Sequence, residues 1–297
     1  MSEVGFVGVG NMGWPMAANL VKAGFTVNVN DNRRETANNF VQSVGGFAPD
    51  TLRQLGEKSG VVVTMLPTSG IVSHVLADAE DSVLAGLKPG SLVIDMTSGE
   101  PSVTRRLAEK VAALGGTMID APVSGGVSRA KTGELSIMVG GTEADIARAM
   151  PVLKAMGTTI TRCGDVGAGQ AMKALNNLVS AGGFLIGIEA LLVGKRFGLD
   201  PELMVDVLNA STGMTNSSQK KFKQFVLSRK FDSGFSLDLL VKDLSIALGV
   251  SRETATPTPF SALCRDLVAG AQALLGPGQD HTALAKLSER LAGDELK

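Results

Sequence analysis

The 297-residue chain has no tyrosine, one tryptophan, two cysteines and two histidines. Without tyrosine it cannot carry a Tyr-x-x-x-Lys proton donor. Cys163 and Cys264 are too few and too far apart for a disulfide framework or a metal motif, so a reducing, cytoplasmic compartment is expected. Neither His74 nor His281 has a second histidine or a cysteine nearby at ligand spacing, which argues against a zinc centre, and no metal site is predicted. Both histidines read as surface or capping residues. Acid–base chemistry therefore falls to Lys, Asp or Glu. Net charge is −1 with no block of one sign and no basic run interleaved with aromatics. That pattern supplies no attraction for nucleic acid or an anionic membrane. No apolar run reaches the ~18 residues of a membrane helix, and the chain enters a strand without a leader-like pattern.

What is present suits a large folded core, with 44% hydrophobic and 19% charged residues. The length suits two domains. The organising stretch lies at the start. Val4, Phe6, Val7 and Val9 make a short apolar run, Gly8, Gly10 and Gly13 follow as GxGxxG, and Met12 to Lys22 carries apolar residues at helical spacing. A strand, a glycine turn and a helix in that order present backbone N–H groups and the positive end of the helix dipole to a pyrophosphate. Gly8 permits the tight turn, Gly10 the approach of the phosphates, and Gly13 close helix–strand packing. Asp31 ends the next predicted strand, where a carboxylate can accept both hydroxyls of an adenosine ribose and repel a 2′-phosphate. The lesser reading is that it merely ends the strand or caps the following helix. Arg33 and Arg34 could reach a 2′-phosphate, so NAD is favoured over NADP without being fixed.

Further strands are expected at Val61–Leu66, Ser91–Met96, from Thr117, at Leu135–Gly141 and at Thr158–Arg162, alternating with helical stretches in the rhythm of a doubly wound parallel sheet. Ligands bind beyond the carboxyl ends of such strands. Leu66, Pro67 and Thr97 therefore point to the dinucleotide, although Thr97 could be a helix N-cap. Ser124, Gly125 and Gly126 form a glycine turn whose N–H groups and hydroxyl suit a small carboxylate. From Ala168 the period changes to that of a long apolar helix reaching about Lys195, apolar enough to face a second subunit as well as its own domain. Helices only are expected beyond it, at Pro201–Ala210, Ser217–Ser228, Ser236–Arg252, Pro259–Ala273 and Thr282–Ala292. The predicted division is a dinucleotide domain over 1–164, a helix over 165–195 and an all-α domain over 196–297.

Lys173 and Asn177 stand four residues apart on that helix and share a face. A buried lysine is costly unless paired or functional, and burial would lower its pKa toward the range a general acid–base needs. A lysine at a helix start can also snorkel into solvent.

Asn11-Met12-Gly13 with Met16-Ala17, Asp120-Ala-Pro-Val-Ser-Gly-Gly126, the GxGxxxKxxxN run from Gly167 to Asn177, and Lys242-Asp243-Leu244 together resemble the β-hydroxyacid dehydrogenase family. The resemblance covers nearly the whole chain. It implies a Rossmann domain, a long interdomain helix and an all-α C-terminal domain, assembled as a homodimer or homotetramer. It also implies NAD or NADP bound at Gly8, Gly10, Asn11, Met12, Gly13, Asp31, Leu66, Pro67 and Thr97. Lys173 would be the acid–base residue, with Ser124, Gly125 and Gly126 on the substrate carboxylate and Asn177 orienting the substrate. Lys242 would close over the nicotinamide and Asp243 would hold the lysine network, although by themselves these two read as a charged helix face. Phe235 could wall the substrate pocket or belong to the core. The expected activity interconverts a small β-hydroxy acid of the 3-hydroxyisobutyrate kind and its semialdehyde, with hydride passing between the substrate carbon and the nicotinamide, and a more polar acid is the alternative substrate. An imine reductase, in which the lysine is typically replaced, and a non-catalytic dinucleotide module are the alternatives.

Overall fold

The computed structural model describes residues 3–297, which fall into two compact units, one up to Lys173 and the other Ala174–Lys297. The division lies inside the long helix.

The first unit opens β1 (Glu3–Val7), α1 (Gly13–Lys22), β2 (Thr26–Asn30), α2 (Arg34–Val44), α3 (Leu52–Lys58) and β3 (Val61–Thr64). A short α4 (Ser69–Ser73) leads to β4 (Leu92–Asp95), α5 (Pro101–Ala113) and β5 (Thr117–Asp120). Then come β6 (Val123–Ser124), α6 (Gly126–Thr132), β7 (Leu135–Gly140), α7 (Glu143–Met156) and β8 (Gly157–Gly164). The sheet runs β2-β1-β3-β4-β5-β7-β6, with β8 on β7. Strands β1 to β5 are parallel where they pair, and near-continuous apolar runs such as Val62–Val63 and Leu92–Ile94 are buried, as a sheet covered on both faces requires.

The expectation of a parallel sheet fails at β7. That strand is antiparallel to β5 and β6 and parallel only to β8. Between Ser124 and Leu135 the chain has room for α6 and little more, which is shorter than a crossover between parallel strands needs. It therefore returns as a hairpin around that helix. The link from β3 to β4 also departs from a regular crossover helix: after α4 it continues as a π-helical turn, His74–Asp78, and a 3₁₀ turn, Leu84–Gly86.

Order reverses at β1, so the crevice between the carboxyl ends of β1 and β3 is the topological switch point, the usual ligand site of an open α/β sheet. Gly8 sits there. A Cβ on Gly8, whose φ is +95°, would come within 2.4 Å of the Met65 carbonyl oxygen, so only glycine permits this approach.

α8 (Ala168–Phe197) opens in the first unit and runs on through the second, which adds α9 (Pro201–Asn209), α10 (Asn216–Lys220), α11 (Leu237–Glu253), α12 (Pro259–Leu275) and α13 (Ala285–Ala292). Phe184, Ile188, Leu191, Val205, Phe222, Leu244 and Val268 form its core. The single helix expected over Ser217–Ser228 is α10 followed by π-helical turns at Phe222–Leu227. A capping box at Thr215 and Ser218 fixes the start of α10, and the extra residue per turn places both Phe222 and Val226 in the core. The helix expected from Thr282 begins as a 3₁₀ turn, His281–Leu284.

The absence of a membrane-length segment does not hold either, because α8 is long and apolar enough to cross a membrane by length and composition. Its polar and small residues hid this in the linear reading. Ala174, Ala181, Phe184, Leu185, Ile188, Leu191 and Leu192 are nevertheless buried within the protein, as for a core helix.

Candidate active site

The glycine turn is built as the GxGxxG order requires. A Cβ on Gly13 would lie 1.8 Å from the Gly8 carbonyl oxygen, whereas one on Gly10 would meet nothing within 4 Å. The turn is thus closed on its inner side and open at Gly10. Met12 occupies the N-cap of α1 without a side-chain cap bond, and the first turn carries no acidic residue, so the helix N-terminus keeps its attraction for an anion. These features fit a dinucleotide pyrophosphate. Asn11 is exposed beside them.

Asp31 stands at the rim. Its Oδ2 accepts from Val9 N at 3.1 Å and its Oδ1 from Arg33 N at 3.1 Å, so the carboxylate braces the end of β2 against the glycine turn. Arg33 Nε lies 3.9 Å from Asp31 Oδ1. Arg34 turns away: its guanidinium donates to the Ala48 and Pro49 carbonyls and to Asp50.

Thr97 is fully buried, and its hydroxyl accepts from Leu66 N at 3.0 Å. It is not the cap of α5, a position held by Glu100. Its side chain fixes the backbone at Leu66, next to the exposed Pro67. Ser124 ends β6, half-buried, and Gly125 and Gly126 follow with φ of +132° and +66°, a conformation that turns successive N–H groups the same way.

Lys173 is half-buried on the second turn of α8. The turn before it is held by groups to which the sequence assigned no role. Asp120, buried at the end of β5, accepts from Gly167 N at 2.6 Å and from Gln170 N at 2.8 Å. The buried Gln170 side chain donates to Asp95 at 2.9 Å and accepts from Thr104 at 2.6 Å, while Asp95 accepts from Thr64 at 2.8 Å. Burial raises the Asp95 carboxyl and pushes Asp120 up to about 6 from 3.8. A fully ionised Asp120 thus costs about 3 kcal/mol. Because the folded value is the higher one, this group adds stability as pH falls through about 6 toward 3.8. An isolated aspartate at the end of each of two strands, and one glutamine in an apolar helix start, were the available signals.

In the second unit, Asn177 Nδ2 donates to Asp243 Oδ2 at 2.6 Å, and Lys242 Nζ lies 3.3 Å from Asp243 Oδ1. Asp243 and Asn177 are buried, so the Lys242-Asp243 pair is not the solvated face that its charge pattern alone suggested. Phe235 packs against the core of this unit, its ring 5.4 Å from that of His281 in an edge-on arrangement.

His281 corrects an expectation. It is a buried residue, not a surface one: its Nδ1 lies 3.2 Å from the Phe235 carbonyl oxygen and 3.0 Å from Ser233 Oγ. Burial, with the nearby Lys221 charge, pushes its pKa down to about 4. His74 is exposed, as expected. Among the described residues no cluster of three or more His, Cys, Asp or Glu is placed to hold a metal ion.

Residues 3–164 match the NAD-binding domain of 6-phosphogluconate dehydrogenase, and residues 167–288 match the NAD-binding domain of NADP-dependent 3-hydroxyisobutyrate dehydrogenase. The 2-(hydroxymethyl)glutarate dehydrogenase of Eubacterium barkeri is 37% identical over 98% of this chain and 96% of its own. The 2-hydroxy-3-oxopropionate reductase of Escherichia coli is 37% identical over 99% of each. The solved structure of Mycobacterium tuberculosis 3-hydroxyisobutyrate dehydrogenase with L-serine superposes with a TM-score of 0.88 at 32% identity, covering 96% of this chain and 98% of that one.

Proposed function

Because the chain belongs to the β-hydroxyacid dehydrogenase family of NAD(P)-dependent oxidoreductases, we propose that it interconverts a small β-hydroxy acid and its semialdehyde with Lys173 as general acid–base. The observation that carries this reading is a half-buried lysine on a helix start fixed by two strand ends, four residues before a buried Asn–Asp pair. A group held that firmly meets the positional demand of proton transfer.

Bound dinucleotide supplies the hydride acceptor or donor at its nicotinamide. Gly8, Gly10, Asn11, Met12 and Gly13 would hold the pyrophosphate, Asp31 the ribose, and Leu66 and Pro67, set by Thr97, the nicotinamide half. Ser124 with the N–H groups of Gly125 and Gly126 would take the substrate carboxylate. Asn177, oriented by Asp243, would donate to the substrate hydroxyl, and Lys242 would neutralise Asp243. Lys173 would accept the hydroxyl proton during oxidation and return it during reduction. Phe235 remains a proposed pocket wall. NAD is the favoured dinucleotide, since Asp31 would repel a 2′-phosphate and Arg34 is already engaged. The free thiols of Cys163 and Cys264 support a cytoplasmic setting.

A more polar acid than 3-hydroxyisobutyrate is the second reading. The Ser211–Ser218 stretch is rich in donors, and the buried Asn209 Oδ1 and Ser217 Oγ lack hydrogen-bond partners. Both readings are tested by offering NAD and NADP separately with 3-hydroxyisobutyrate, 3-hydroxypropionate, glycerate, 4-hydroxybutyrate, threonate and 2-(hydroxymethyl)glutarate, and the matching semialdehydes in reverse. Reduced nicotinamide should appear with at least one acid, at higher kcat/KM with NAD. Silence in both directions with cofactor bound would mean a substrate outside this panel or the binding-module alternative.

A homodimer or homotetramer is also proposed. Val179, Ile186 and Val193 recur every seven residues on α8 and are 76%, 58% and 70% exposed. A charge on that stripe would oppose burial against a second copy. Ile186→Glu should lower the mass seen by light scattering, and an unchanged mass would remove the stripe from the interface.

A further inference from the structure

The mechanism above leaves unused two buried carboxylates, Asp95 and Asp120, which stand in register at the ends of β4 and β5. Asp120 does more than fill space. Its two oxygens straddle the start of α8, one taking the N–H of Gly167 and the other that of Gln170, donors that a helix start leaves without partners in the helix. The surroundings are cut to this carboxylate: a Cβ on Gly140 would come within 2.4 Å of its Oδ1, and one on Gly169 within 2.9 Å of its Oδ2. Gln170 then ties the same turn to Asp95 and Thr104. Lys173 follows Gln170 by three residues and lies one turn on along the same side of the helix.

Resting on the reading of Lys173 as the acid–base residue, we propose that Asp120 is a positioning residue for turnover, its ionised carboxylate fixing the first turn of α8 and with it the place of the lysine amine. A misplacement of about 1 Å can cost about 10²-fold in rate. An ordinary cap would sit at the surface, where its charge is cheap. Here burial pushes the carboxyl up to about 6 against the pull of its two backbone hydrogen bonds, and the charge of Asp95 adds to the rise. On protonation one acceptor oxygen becomes an O–H facing a backbone N–H, and the clamp on the helix start is halved. The titratable and charged groups around Asp120 are Asp95 on β4, Cys163 at the end of β8, Asp165 in the turn before α8, and Arg105 of α5 against Gly167.

The direction of the assay separates the two groups. In reduction Lys173 must start protonated, so the lysine by itself removes activity only on the alkaline side. An acid-side loss of the reduction rate belongs to another group. With the fastest semialdehyde of the panel and NADH, wild-type kcat should fall with a midpoint near pH 6, the value that burial imposes on Asp120. Asp120→Asn should lower kcat about 10- to 100-fold at pH 8 and lose the acid limb, while KM and the NADH affinity read from Trp14 fluorescence stay within about twofold. Wild-type kcat and an unchanged acid limb in Asp120→Asn would overturn the inference. Should that variant fail to fold, the wild-type profile decides alone: a reduction rate flat from about pH 7 to about pH 5 overturns it. A Lys173→Ala enzyme with full activity would instead overturn the reading on which the inference rests.

Discussion

Lys173→Ala is expected to lower turnover by about 10²- to 10⁴-fold in both directions while leaving dinucleotide binding nearly intact, the range a positioned general acid–base contributes. The expectation follows from place as much as from residue type. The lysine is half-buried on α8 and carries no part of the glycine turn or of the Asp31 brace. Binding has its own reporter, since Trp14 is the sole tryptophan and follows Gly13 at the start of α1, edge-on to Phe40 at 5.1 Å. Quenching of its fluorescence by NADH should be the same in wild type and variant. Undiminished turnover would remove Lys173 from the chemistry, and lost quenching would show that it helps hold the cofactor. A small exogenous amine should restore part of the lost rate if only the proton carrier is missing.

Acid should weaken the second unit through His281. The folded imidazole is held neutral down to about 4, against 6.5 in the unfolded chain. The unfolded state therefore binds the extra proton across that interval, and stability is lost as pH falls through it, by about 3 kcal/mol in full and about 2 kcal/mol between pH 7 and pH 5. The cause is local: the ring is closed in beside Phe184 and Phe235, and its Nε2 is buried without a hydrogen-bond partner. The neighbouring Asp280 attracts the protonated form, but less than burial and Lys221 oppose it. In a His74→Gln background only one imidazole remains, and its proton resonances should titrate near 4. From pH 7 to pH 5 the hydrogen exchange of α11 to α13 should slow less than the intrinsic, base-catalysed rate does, which marks easier opening, and His281→Gln should abolish that difference. A midpoint near 6.5 would sink the argument. Asp120 contributes with the opposite sign in the first unit, so the two units should respond to acid in opposite senses.

Much of the proposed site was legible because it is written in short-range order. A GxGxxG turn between a strand and a helix constrains backbone geometry wherever it folds, and the structure places Gly8, Gly10 and Gly13 accordingly. The long apolar helix was visible from its period, and Lys173 and Asn177 from their spacing on it. Where reasoning failed, the deciding contact joined residues far apart in the chain. His281 looked like a polar residue in a tail, yet the loop at Ser233 to Phe235 folds over it. Asp95 lay inside a predicted strand and Asp120 in a motif given no role for its carboxylate, yet both meet Gln170, which lies 75 residues beyond the first and 50 beyond the second. Lys242 and Asp243 looked like an exposed helix face until Asn177 brought Asp243 into a buried hydrogen bond.

The sequence by itself determined the dinucleotide turn, the succession of sheet and helices, the family and the lysine at the start of the long helix. These rest on local periodicity, on the tight approaches that only glycine allows at Gly8 and Gly13, and on motifs whose spacing is their content. Only the tertiary structure decided the reversal of β7, the burial of His281 and the clamp of Asp120 and Gln170 on the helix that carries Lys173. Each depends on which distant groups share a low-dielectric interior, and there a polar group must find a partner or shift its ionisation.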